Sequence, residues 1–396
     1  MSLTERETPA MTVISPIYLD AAATTPCAKD VLEEMIDITR SHYGNPASTH
    51  TLGRLAKGVI LESTKHISDL IGCAASELIF TSGATESNNI VILGSCNAGS
   101  KRNIVICPID HKSVLSSADE LQSRNVEVRR MRTDIFGKID IDHLHTLLDK
   151  NTALLSISYV NSELGTYQDL DRIRLALAQT SAIFHIDAAQ ALGKFSINVK
   201  TLGVDCASFS AHKIEGPKGI GALYVSQRAL PRLHPLTFGG GQSVLRSGTL
   251  PTPLIAGFGA AAKRLVGRNY LSCWDAAALR RDTILKILSA HKIPFLLNSP
   301  IGESTPHILN LSIQGVRSDS LINSLKTVCI SSGSACNSRS LAPSYVLTGV
   351  GHDIARANSA IRLSFTSEID LDLITAGTEI LASAALMLLH LANGKY

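Results

Sequence analysis

Two periods of apolar spacing alternate along the first half of the chain. Val31, Leu32, Met35, Ile36 and Ile38 recur at helical spacing and predict a helix over 30–40. Short apolar runs predict strands at 77–81, 103–107, 126–131, 153–160, 182–187 and 205–209, with helical patterns over 89–93 and 111–121 between them. Strands that alternate with helices imply an α/β fold with a largely parallel sheet covered on both faces. Ligands of such sheets bind at the carboxyl ends of the strands. The pattern changes from about Gly267. A long helical stretch over 273–288 gives way to Pro294 and Pro300, then to strand-like segments at 307–313 and 328–331 and a terminal helix over 371–391. The reading is a large domain over 17–266 and a smaller α+β domain made of 1–16 and 267–396.

Composition narrows the classes. The chain has 396 residues, which suits two or three domains, and its 45% apolar and 18% charged content excludes intrinsic disorder. Lys plus Arg is 37 and Asp plus Glu is 34, a balance that gives no electrostatic footprint for direct nucleic-acid binding. The longest apolar run, Ile380 to Ala392, has thirteen residues. A span needs ~20, so this run reads as a buried or amphipathic helix and no membrane association is expected. The opening MSLTERETPA lacks the basic start and apolar run of a secretory signal. Eight scattered cysteines without a Cys-x-x-Cys pair argue against a zinc site and a disulfide framework, and fit a reducing cytoplasm.

Three features at strand ends carry candidate chemistry. FTSGATESNN, residues 80–89, runs from a strand through Gly83 into a helix whose first N–H groups suit a phosphate. A helix merely capped by Thr85 or Ser87 reads equally well. In AIFHIDAAQALGK, Asp187 ends a wholly apolar run, so its carboxylate must be paired, with a protonated ring nitrogen or with a structural arginine. In ASFSAHKIEGPKGIGALY, Lys213 stands between a strand and a glycine-rich turn. A lysine desolvated there can condense with a carbonyl, whereas an ordinary surface lysine is the plain alternative. Lysine, acid and anion cradle together are what pyridoxal 5'-phosphate requires, and His111, just past a strand end, could stack on its ring. Cys336 lies among small polar residues in a long loop, 331–344, with Arg339 near enough to favour a thiolate. Cys107, Cys206 and Cys329 read as small buried hydrophobes.

Longer stretches add a family resemblance. YLDAAATTP from Tyr18, GNPAS from Gly44, FTSGATES from Phe80, HIDAAQ from His185, SFSAHKIEGPKGIGALYV from Ser208, RSGTLP from Arg246 and SSGSAC from Ser331 resemble the NifS/IscS-like cysteine desulfurases. These are class V aminotransferases of fold type I. The resemblance spans about 18–365 and implies a mainly parallel seven-stranded sheet, pyridoxal phosphate as cofactor and L-cysteine as substrate. It also implies a homodimer and a sulfur-acceptor protein as partner. Lys213 would take the cofactor's aldehyde, His111 would stack on its ring, Asp187 would pair with the ring nitrogen and Gln190 would contact the ring hydroxyl. Thr85, Ser210 and His212 would hold the phosphate, with Ala84 in the same site. Thr249 would reach the cofactor of the other subunit. Arg362 would bind the substrate carboxylate, and Asn45 would help shape the substrate pocket. Cys336 would carry the sulfur as a persulfide.

Three departures stand against the family pattern. Asn161-Ser162-Glu163 replaces the usual Asn-Asn-Glu, so Asn161 or a water would have to supplement the shorter Ser162. The stretch GGGQSVLRSGT from Gly239 lacks the common Glu-Arg pair. The tail that docks the iron–sulfur scaffold is not recognisable. The acceptor could serve iron–sulfur assembly, thiolation or nitrogenase maturation, and the expectation leans to DNA phosphorothioation. A selenocysteine lyase, an aminotransferase of the same fold and a partner-dependent sulfur-relay scaffold are the competing readings.

Overall fold

A computed structural model describes residues 16–97, 101–332 and 342–392. In chain order its strands are β1 (Ile17–Tyr18), β2 (Leu78–Thr81), β3 (Asn103–Ile106), β4 (Glu127–Arg130), β5 (Thr152–Ser158) and β6 (Ile183–Asp187). They continue with β7 (Cys206–Ser210), β8 (Gly221–Val225), β9 (Phe295–Leu297), β10 (Ile308–Ile313), β11 (Val328–Cys329) and β12 (Ala360–Ser364).

Seven of them form the main sheet in the order β2-β8-β7-β6-β5-β3-β4. β8 runs antiparallel to both neighbours, and every other pair is parallel. The central strands β5 and β6 are buried along their whole length, as expected where helices cover both faces. The outer strand β4, EVRR, keeps its charges partly exposed, which blunts a sheet edge. The six strands read from the hydrophobic pattern are present to within a residue or two at their ends.

β8 was not among them, because GALYV follows directly on a glycine stretch that reads as a turn. Its first residue explains the glycine. A Cβ at Gly221 would lie 2.4 Å from the Phe209 carbonyl and 2.6 Å from the Gly83 Cα. Only glycine lets β7, β8 and the turn after β2 meet this closely. The register Thr81–Gly221–Ser210 therefore brings three strand ends to one point of the sheet edge.

The smaller core is built on the antiparallel sheet β12-β10-β9, with the helices Tyr270–Ala290 and Leu371–Ala392 packed together beside it. β1 pairs in parallel with β11, and Leu19 lies fully buried in this core. Residues 17–19, grouped with the large domain by sequence, thus sit with the small one. Conversely, Val346, Leu347 and Val350 join the core of the large sheet. The thirteen-residue apolar run proves to be part of a helix of 22 residues, long and apolar enough by composition to cross a membrane. Its Ile374, Leu381, Ala382 and Ala385 are buried in the small core, which is how an amphipathic core helix packs.

Candidate active site

The carboxyl ends of β2, β3, β5, β6 and β7 surround a cavity of ≈ 290 Å³, near the lower end for a small-molecule site. Its floor is built from backbone. Gly83, with φ 153°, turns the chain from β2 into the helix Ala84–Gly94. The Ala84 N–H donates to Ser210 Oγ at 2.8 Å, which ties the helix N-terminus to the end of β7. Ala84, Thr85 and Ser210 line the cavity here, so a helix start and a hydroxyl face the same space. His212 lines it too, with Nδ1 3.1 Å from Thr24 Oγ1. Burial and the Lys213 and Lys218 charges push the His212 pKa down to about 4, so its ring is neutral at pH 7.

Lys213 follows in the short turn after β7. Its Nζ donates to the Ala22 and Ala23 carbonyls at 2.5 and 2.8 Å. Asp187 ends β6 and is 7% exposed. Its Oδ1 accepts from the Ala189 N–H at 3.0 Å and its Oδ2 from Asn88 Nδ2 at 2.7 Å. Asn88 also donates to Ser113 Oγ, and that hydroxyl lies 2.8 Å from His111 Nδ1. The Ser113 N–H donates to the same ring nitrogen, so Nδ1 is an acceptor and a neutral His111 carries its proton on Nε2. A continuous network thus links the acid to the histidine. Gln190 lines the cavity with its Nε2 donating to the Ala22 carbonyl at 2.7 Å.

The far wall comes from the sheet β12-β10-β9. Arg362 on β12 is 3% exposed, and its Nη2 pairs with Asp20 Oδ1 at 2.7 Å. Its Nη1 donates to the Ser162 carbonyl at 2.8 Å. Ser162 therefore meets the arginine through its backbone, whatever its side chain.

Three predicted positions lie elsewhere. Asn161 does not line the cavity. Its Nδ2 donates to the Ile109 carbonyl and its Oδ1 accepts the Glu163 and Leu164 N–H groups, so its side chain braces two loops. Asn45 is exposed and caps its own turn through the Ala47 N–H. Thr249 is exposed, in a loop that Gln242 and Arg246 pin down. Gln242 bonds both backbone groups of Phe80 on β2, and Arg246 pairs with Glu86 at 3.1 Å. Cys336 and Arg339 fall outside the described residues. Of the cysteines read as buried, Cys107 and Cys206 are so, while Cys329 is partly exposed.

Sequence reasoning missed Asn88, Asp110, Glu163 and Asp20. Asn88 stands one helical turn after Ala84, fully buried, where its amide reaches Asp187 and Ser113. Asp110 is 2% exposed, its Oδ1 accepts the Ser158 N–H, and its Oδ2 has no hydrogen-bond partner among the described residues. Burial, with Asp187 nearby, pushes its pKa up to about 7. Between the ordinary value of 3.8 and about 7, the folded protein keeps a proton that the unfolded chain releases. Stability therefore falls as pH rises through that window. We expect Asp110→Asn to remove this loss. In urea melts its advantage over the wild type should grow from pH 5 to pH 7, to about 1–3 kcal/mol, and then stay level.

A second cavity of ≈ 570 Å³ shares Ala22 and Lys213 with the first and runs past Lys194, Arg268 and Glu368. It is the larger space, but Asp187 and the Ala84 helix start do not line it.

The family model "Aminotransferase class-V" matches residues 17–373. A cysteine desulfurase IscS of Colwellia psychrerythraea is 41% identical over 366 residues, which cover 90% of this chain and 90% of that relative. The solved structure of a NifS-like protein superposes with a TM-score of 0.86 at 31% identity, over 93% of this chain and 98% of that one. SspA in complex with cysteine superposes with a TM-score of 0.78 at 35% identity, over 88% and 99%. The chain belongs to the class V aminotransferase family, among its NifS/IscS-like cysteine desulfurases.

Proposed function

We propose that the chain converts L-cysteine to L-alanine with pyridoxal 5'-phosphate as cofactor, and leaves the sulfur as a persulfide on Cys336 for an acceptor protein. The observation that carries this reading is the convergence of Lys213, Asp187, the Ala84 helix start and Arg362 on one cavity. The donor set fits the cofactor: a lysine for the aldehyde, a buried carboxylate for the ring nitrogen, and N–H and hydroxyl groups for the phosphate.

When bound, the cofactor withdraws electrons from the substrate Cα and so acidifies its proton. Asp187, fixed by Ala189 and Asn88, would keep the proton on the ring nitrogen. Ser210, Thr85 and His212 would hold the phosphate, and Gln190 would contact the ring hydroxyl. Lys213 is the base that takes the Cα proton. Arg362, already oriented by Asp20 and the Ser162 carbonyl, holds the substrate carboxylate. The Cys336 thiolate attacks the substrate sulfur; the S–S bond forms, the Cβ–S bond breaks, and the carbon fragment keeps the electron pair. A proton, for which His111 is the proposed donor, completes alanine. Thr249, exposed on this subunit, is proposed to reach the cofactor phosphate of a second copy in a homodimer. The proposed compartment is the cytoplasm.

The test is alanine released from L-cysteine by the purified holoprotein. Stoichiometric alanine and sulfide in the presence of a thiol reductant are expected. A yellow protein that holds the cofactor and yields no alanine would overturn the reading in favour of a partner-dependent sulfur relay.

A further inference from the structure

Arg362 is surrounded by more acidic groups than its single charge can serve. Asp20 already pairs with it. Glu163, 2% exposed, lines the same cavity beside it. The Ser344 hydroxyl bonds the Glu163 carboxyl, while Oε1 has no hydrogen-bond partner among the described residues. The Glu163 N–H and C=O are satisfied by Asn161 and Asn310, so the backbone is fixed, and the residue lines the cavity with a buried carboxyl oxygen left unpaired among the described residues. A substrate carboxylate arriving at Arg362 would be the third carboxyl around one guanidinium. Three charges there cannot all persist, and the carboxyl without an ion pair is the one that must take a proton.

We infer that Glu163 is a substrate-binding residue that acts as a neutral acid and donates its proton in a hydrogen bond to the amino-acid carboxylate held by Arg362. This rests on the proposed function, in which Arg362 is the carboxylate site. Burial supports the protonation, since it pushes the Glu163 pKa up to about 7 despite Ser344 and Arg362. A like charge arriving with the ligand raises it further. The charged group facing Glu163 is Arg362, itself paired with Asp20. His111, Lys112, Asp187, His212 and Lys213 line the rest of the cavity and are unchanged in the comparison below.

The experiment is calorimetric binding of 3-mercaptopropionate to the holoprotein from pH 6 to pH 8.5. This probe has the carboxylate and thiol of cysteine but no amine, so binding is read without turnover. Wild type should bind about tenfold more weakly for each pH unit above the Glu163 pKa. Glu163→Gln, which keeps a donor of the same reach, should bind with a flat profile. In paired buffers of different ionisation enthalpy at pH 8, wild type should take up a proton on binding and Glu163→Gln should not. A variant that keeps the wild-type slope and proton uptake overturns the inference, and so does a wild type with neither. Should Glu163→Gln fail to fold, Glu163→Asp is the second variant. It should keep the slope with weaker binding throughout, and a flat profile there overturns the inference. Failure of the desulfurase reading shows separately, as the absence of alanine from L-cysteine.

Discussion

Lys213→Ala abolishes alanine formation, with an expected loss of about 10⁴-fold or more, while the protein still binds the cofactor. One side chain is asked to do two jobs, attachment of the aldehyde and removal of the Cα proton, and general-base catalysis alone contributes ~10²–10⁴. Binding survives because Asp187 and the Ala84–Ser210 cradle are independent of the lysine. The lost amine leaves the Ala22 and Ala23 carbonyls without that donor, so a modest fall in Tm accompanies it. A small primary amine added to the solution should restore part of the rate. Lys213→Arg should not recover activity, because guanidinium stays protonated and cannot act as the base. Alanine formation by Lys213→Ala close to the wild-type rate would remove Lys213 from the mechanism.

Cys336→Ala is the second large effect. Alanine and sulfide release from L-cysteine should both disappear, with cofactor binding and Tm unchanged. The thiol falls in a segment whose two ends are anchored at the cavity. On one side Ser331 exchanges backbone hydrogen bonds with Arg362, the residue proposed to hold the substrate. On the other, Tyr345 lines the cavity and its hydroxyl donates to the Asp110 carbonyl at 2.8 Å. A nucleophile between those anchors is the arrangement that sulfur transfer needs, and Cys336→Ser, a poorer nucleophile toward sulfur, should be as inactive as alanine. An aminotransferase would not need the thiol, so equal rates in wild type and Cys336→Ala would return that reading. A selenocysteine lyase would show itself by a strong preference for selenocysteine over cysteine.

The parts of the site legible in the sequence are those that stand at strand ends. Asp187, Ser210 and Lys213 follow buried apolar runs, and a strand end in a parallel sheet is already a position in space. β8 escaped because a glycine stretch reads as a turn, although Gly221 is required there for close packing rather than for turning. Asn161 reads as a substrate contact only because it stands beside Ser162, where the family pattern has an asparagine. Its three hydrogen bonds to the backbone were invisible until the Ile109 loop was placed. Asp20 and Glu163 could not be read at all. Their meaning depends on Arg362, which lies 342 residues beyond Asp20, and no local period encodes such a pair.

The anchoring of segment 333–341 has a consequence for how such proteins diversify. Its attachments, at Ser331 and at Ser344–Tyr345, belong to the frame of the substrate site. The entropic cost of closing a loop grows by only about 0.6 kcal/mol per doubling of its length. Insertions, deletions and replacements between the two posts should therefore act more on delivery to a recipient than on how the amino acid is recognised. The segment proposed to bear the sulfur is in this sense an interchangeable cartridge, and swapping it between relatives should move acceptor preference while the cysteine KM stays put.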